Sequence, residues 1–95
     1  LYVSGEESAE QIKLRAGRLG AEHPNLLLAS ETDVAQIAGF VQQIKPYYLI
    51  VDSIQTMQVP EIDSSPGTVS QVRASCAALA ALAKGMRVPV FLVGH

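Results

Sequence analysis

Four short apolar runs that do not alternate with polar residues constrain this chain most. They are Leu1-Tyr2-Val3, Leu26-Leu27-Leu28, Tyr47-Tyr48-Leu49-Ile50-Val51 and Val88-Pro89-Val90-Phe91-Leu92-Val93. A strand with one wet face alternates, whereas a strand buried on both faces reads as a continuous apolar run. Three stretches with helical spacing lie between the runs. The first begins at Ser8, where Ser-Ala-Glu-Gln forms a capping box with Gln11. Ile12, Ala16 and Leu19 share its inner face, and Gly20 stops it. The second starts near Asp33, carries Val34, Ile37, Val41 and Ile44 three or four apart, and ends at Pro46. The third follows Ser65-Pro66, a cap residue and a proline suited to a first turn. Its expected buried stripe is Val69, Val72, Cys76, Leu79 and Ala83, with Gly85 near its end. The order βαβαβαβ predicts an α/β fold: a parallel sheet of about four strands, alternating with three helices through right-handed crossovers. In such a sheet, function gathers at the carboxyl ends of the strands. Four places qualify: 4–8, 29–33, 52–67 and 94–95.

Composition narrows the classes. Of 95 residues, 48% are hydrophobic and 17% charged, which suits one packed unit, or part of one, and excludes a disordered segment. No apolar run approaches the roughly 20 residues needed to cross a bilayer, so no membrane partner is expected. The single cysteine, Cys76, has no partner for an internal disulfide, which fits a reducing cytoplasm. A net charge of −2 excludes a bulk electrostatic hold on nucleic acid. Any DNA contact must come from a local loop or from outside these residues. The chain opens directly on a strand-like run and stops just after another, which predicts an excerpt, with 1–95 the central part of a larger domain.

Three strand ends carry chemistry-bearing side chains. Asp52 closes the run Tyr48-Leu49-Ile50-Val51. A carboxylate held there by a buried strand projects into the crevice and can position the Mg²⁺ of a nucleotide through a water, with Ser53 supporting that water shell. An Asp in that place also simply begins a loop. Gly5-Glu6-Glu7-Ser8 follows the first run, and a carboxylate there can polarise a water for attack on a γ-phosphate. Acids before a first helical turn equally complement the helix dipole. His95 follows Phe91-Leu92-Val93-Gly94, where it can hydrogen-bond a phosphate or simply be solvated. The stretch from Gln55 to Arg73, with Pro60, Pro66 and Gly67, is long for an ordinary connection and points to a substrate loop. Cys76 reads as core, Arg15 and Arg18 read as solvated, and His23 has no partner at metal-ligand spacing.

Together these segments resemble the RadA (Sms) family of RecA-like ATPases. The resemblance rests on Leu-Tyr-Val-Ser-Gly-Glu-Glu-Ser at 1–8, Gln-Ile-Lys-Leu-Arg-Ala-Gly-Arg-Leu-Gly at 11–20 and Leu-Ile-Val-Asp-Ser-Ile-Gln-Thr-Met at 49–57. It extends through Ser-Ser-Pro-Gly-Thr-Val-Ser-Gln-Val-Arg at 64–73 and Val-Gly-His at 93–95. It implies a RecA fold and an ATP-dependent, ring-forming (hexameric) DNA motor that promotes branch migration in recombinational repair beside a RecA-type recombinase. By the same resemblance Asp52 falls on the Walker B aspartate, which with Ser53 serves Mg²⁺ and ATP. Glu6 falls on the catalytic glutamate, with Glu7 adjacent, and His95 on the polar residue that couples γ-phosphate to DNA binding. The stretch 58–73, including Gln71 and Arg73, falls on the first loop that touches single-stranded or branched DNA. The phosphate-binding loop Gly-x-x-x-x-Gly-Lys-Ser/Thr is not in these 95 residues and is expected upstream, so the excerpt alone is expected to be inactive. Zinc is expected only in a further amino-terminal segment bearing four cysteines.

Three other readings compete. A KaiC-like or replicative-helicase ATPase keeps the chemistry and changes the biology. A receiver-type signalling domain makes Asp52 a phospho-acceptor, but it needs a lysine after a late strand, and here Lys84 precedes the last run. A non-catalytic interaction module fits a complete chain without a phosphate loop.

Overall fold

The computed structural model describes residues 1–20 and 23–94. Its order is β1 (Tyr2–Ser4), α1 (Ala9–Arg18), β2 (Leu28–Ser30), α2 (Val34–Ile44), β3 (Leu49–Asp52), a 3₁₀ turn (Ile54–Thr56), α3 (Val69–Met86) and β4 (Val90–Val93). The strands form one parallel sheet in the order β2-β1-β3-β4. This is the α/β architecture expected from the apolar runs, consistent with part of a RecA-like core.

Pairing registers decide which residues share a face. Tyr2, Val3 and Ser4 lie opposite Ile50, Val51 and Asp52. Val3, Leu49 and Val51 point into the main core with Val34, Ile37 and Val41 of α2 and Leu79 of α3. By the two-residue period of a strand, Tyr2, Ser4, Ile50 and Asp52 point to the opposite face. There α1 buries Ile12 and Ala16. Asp52 thus projects away from the main core, beside α1.

Local signals explain the helix starts. Ser8 caps α1 in a full capping box: its hydroxyl accepts from Gln11 N at 3.2 Å, and Gln11 Oε1 accepts from Ser8 N at 3.0 Å. Asp33 caps α2 by accepting from Ala35 N at 2.8 Å. The third helix differs from expectation. Its cap is Thr68, because Gly67 sits at φ +89°, a left-handed conformation that no right-handed helix can include. Its buried residues are Gln71, Ser75 and Leu79, four apart, with Val72 and Cys76 partly buried beside them. Val69, expected inside, is exposed. Leu19, the C-cap of α1, and Ile44, the last residue of α2, are likewise exposed.

Beyond β3 the chain crosses the carboxyl end of β1. Gln58 N donates to Thr32 O at 2.9 Å and Val34 N to Gln58 O at 3.1 Å, so the crossing segment docks on the β2–α2 turn. Gly5 lies under the crossing. A Cβ at that position would stand 1.9 Å from Thr56 Oγ1 and 2.6 Å from Thr56 Cβ. Gly5→Ala is therefore expected to destabilise the chain by about 1–3 kcal/mol, the usual scale of overpacking. Thermal melting measures the loss. Adding Thr56→Gly removes the opposing atoms and should return part of it; a Gly5→Ala protein that melts with the parent means the crossing is loose.

Candidate functional site at the carboxyl ends of β1 and β3

The strand order reverses at β1: one connection from it leads to β2 on one side, and the chain then returns to β3 on the other. Such a switch point opens a crevice at the carboxyl ends of the two strands. The residues there are Ser4, Gly5, Glu6 and Glu7 from one strand and Asp52 and Ser53 from the other. Gly5 N donates to Asp52 O at 2.9 Å, extending the pairing to the site itself. Ser4, buried, folds the acidic turn back on itself: its Oγ accepts from Glu7 N at 3.0 Å and Glu6 N at 3.3 Å. Glu6 is exposed and Glu7 half-buried.

Asp52 is partly buried, and its Oδ2 accepts a hydrogen bond from the Tyr2 hydroxyl. Burial, and then that carboxylate, push the Tyr2 phenol up to about 12, so it stays protonated and a donor at neutral pH. The Arg15 guanidinium of α1 also lies within reach of the Tyr2 hydroxyl. Arg15 pairs with Glu7 at 2.6 Å, and this carboxylate raises the guanidinium further above its usual range. Glu7 and Arg15 thus form one pair and Tyr2 and Asp52 another, with Arg15 near the Tyr2 hydroxyl. Neither Tyr2 nor Arg15 stands out in the sequence, where one belongs to an apolar run and the other to a solvated helix face. Once β1 is paired with β3, the period of two puts Tyr2 on the face of Asp52, but only the register reveals it.

Ser53 is 1% exposed, and its Oγ has no hydrogen-bond partner among the described residues. The Asp52–Ser53 peptide bond is cis. A buried hydroxyl without a partner leaves a hydrogen bond open to a further group or a water. Among the described residues no group of three or more His, Cys, Asp or Glu side chains could cage a metal. His95 lies outside the described residues.

In the stretch from 58 to 68, one side chain bonds the backbone at several places. Gln71 Oε1 accepts from Val59 N at 2.9 Å, while its Nε2 donates to Ser64 O at 2.8 Å and Ile62 O at 3.0 Å. Expected to face DNA, Gln71 is instead 1% exposed, because these backbone groups satisfy its amide in the interior. Any effect it has on a ligand runs through the shape of the loop. Arg73, two residues on, is exposed. Among the described residues no helix is long and apolar enough to cross a membrane.

No family model matches the chain. It is similar over all 95 residues to proteins named DNA repair protein RadA. The relative from Bacillus subtilis (strain 168) is 50% identical, and the chain covers 21% of it. That from Streptococcus pneumoniae is 52% identical with 23% covered, and that from Haemophilus influenzae 47% identical with 21% covered. The chain spans about a fifth of the length of these curated relatives. Identity near one half along every residue, with no part of the chain left out, makes this chain a homologue of one segment of DNA repair protein RadA.

Proposed function

We propose that this chain is part of the ATPase core of a RadA-type DNA repair motor, supplying the carboxylates that act on Mg-ATP. The observation that carries the reading is the register Ser4↔Asp52, which sets the acidic turn beside the strand-end carboxylate at the switch point. In this reading Asp52 and Ser53 hold the water shell of Mg²⁺. The bound ion supplies charge neutralisation at the phosphates. Glu6 takes the proton from the attacking water, and Glu7 is held by Arg15. The loop shaped by Gln71, with Arg73 beside it, faces single-stranded or branched DNA, and Arg73 makes a phosphate contact. His95 couples the γ-phosphate to that loop. The whole protein would hydrolyse ATP as a DNA-dependent ring, acting with a RecA-type recombinase in branch migration.

Asp52→Asn in the full-length protein tests this. Asparagine keeps an oxygen that can accept from Tyr2, so folding should be spared. Magnesium-dependent hydrolysis should fall at least about tenfold, the scale of a lost charge–cation contact. A variant that unfolds where the parent does not makes Asp52 a structural residue and ends the reading.

A further inference from the structure

A carboxylate at the end of a strand turns about two bonds. To meet a cation's water in one place, it must be held in one orientation. In this chain the holding group is visible. Tyr2 sits on the strand beside Asp52, one residue pair behind it on the same sheet face, and its hydroxyl donates to Oδ2. Among the described residues that is the only side-chain hydrogen bond to the Asp52 carboxylate, so Oδ1 remains to meet a further donor. A tyrosine is well suited to this. Its ring has only two torsions and no charge, so it fixes an acceptor without cancelling the acceptor's attraction for a cation.

Charge around the pair follows the same logic. Arg15 lies near the Tyr2 hydroxyl, and an unpaired guanidinium there would compete with a metal for Asp52. Glu7 takes that charge up at 2.6 Å. The arrangement leaves Asp52 oriented by a neutral donor, with the Arg15 guanidinium already partnered by Glu7.

We infer that Tyr2 is a positioning residue for the metal-facing carboxylate: its hydroxyl holds Asp52 in the orientation from which it meets the water shell of a divalent ion. The inference rests on the reading of Asp52 given above. Tyr2 touches neither metal nor nucleotide and acts only through Asp52.

The test uses the full-length protein with a non-hydrolysable ATP analogue and Mn²⁺ as the probe, bound ion being read by electron paramagnetic resonance. Tyr2→Phe removes one oxygen and keeps the ring. It should raise the Mn²⁺ concentration at half-saturation about tenfold, the scale of one hydrogen bond to a charged group. Asp52→Asn should raise it further, and the double variant should match Asp52→Asn alone, since the hydroxyl then has no carboxylate to orient. Affinity for the analogue without metal should not change. If Tyr2→Phe binds Mn²⁺ as the parent does while Asp52→Asn loses it, the positioning role is wrong and the metal site stands. If the two effects add in the double variant, Tyr2 does not act through Asp52 and the inference falls. If Asp52→Asn leaves Mn²⁺ binding unchanged, the metal site itself is misplaced. A Tyr2→Phe protein that does not fold makes the hydroxyl structural and overturns the inference as well.

Discussion

Glu6→Gln in the full-length protein is expected to bind ATP as the parent does and to lose hydrolysis by roughly 100-fold or more, the usual scale for a general base. Glu7→Gln is expected to lose less. The two carboxylates are adjacent in sequence and both stand at the carboxyl end of β1, so sequence position alone barely separates them. The structure gives them different surroundings. The Glu7 carboxylate is half-buried and paired with Arg15 at 2.6 Å, so moving it to meet an attacking water means breaking that pair. Glu6 is exposed at the crevice, on a turn that the Ser4 hydroxyl holds in shape. Single-turnover measurements separate the chemical step from binding and release. A larger chemical defect in Glu7→Gln would assign the base to Glu7 and leave Glu6 as a bystander.

Gln71→Ala should be the most damaging single truncation for the segment between β3 and α3. It strands one N–H and at least two carbonyls of the loop, at Val59, Ile62 and Ser64, and empties a site inside the fold. We expect a local cost of about 2–4 kcal/mol, from lost hydrogen bonds and the desolvation of groups left without partners. At about 1.4 kcal/mol per decade, amide exchange at Val59 should quicken by roughly 30-fold or more. Gln71→Glu is the instructive control. A carboxylate still accepts from Val59 N but repels the carbonyls that the amide donates to, so it should be no better than alanine. Unchanged exchange at Val59 in both variants would mean that the loop is held by something other than this side chain.

Much of the fold is legible in the sequence because its causes are local. The Ser8–Gln11 capping box marks the first helix start, and the reading near Asp33 falls on the cap of the second. The apolar runs identify four strands, although β2 begins at Leu28 rather than Leu26, after a turn in which Leu26 N donates to His23 O. The third helix start was harder to read, because Ser65-Pro66 offers the same signal as Thr68 and only the conformation of Gly67 excludes it. Polar residues inside the molecule escaped the pattern altogether. Gln71 and Ser75 are buried on the face that hydropathy would assign to apolar side chains.

The sequence by itself determined the number, kind and order of the elements, and it put acidic residues at the ends of two strands. Only the tertiary structure decided that those two strands are neighbours. The choice of β3 over β2 on one side of β1 changes nothing local, since β1 pairs with both through the same backbone groups. Yet that choice brings Asp52 to Ser4 and to the Tyr2 hydroxyl, a contact fifty residues apart in the chain. Capping and periodicity act over three or four residues and so are written in the sequence. Strand pairing is made by main-chain hydrogen bonds common to every residue type, and so the partners of a site are settled only when the sheet forms.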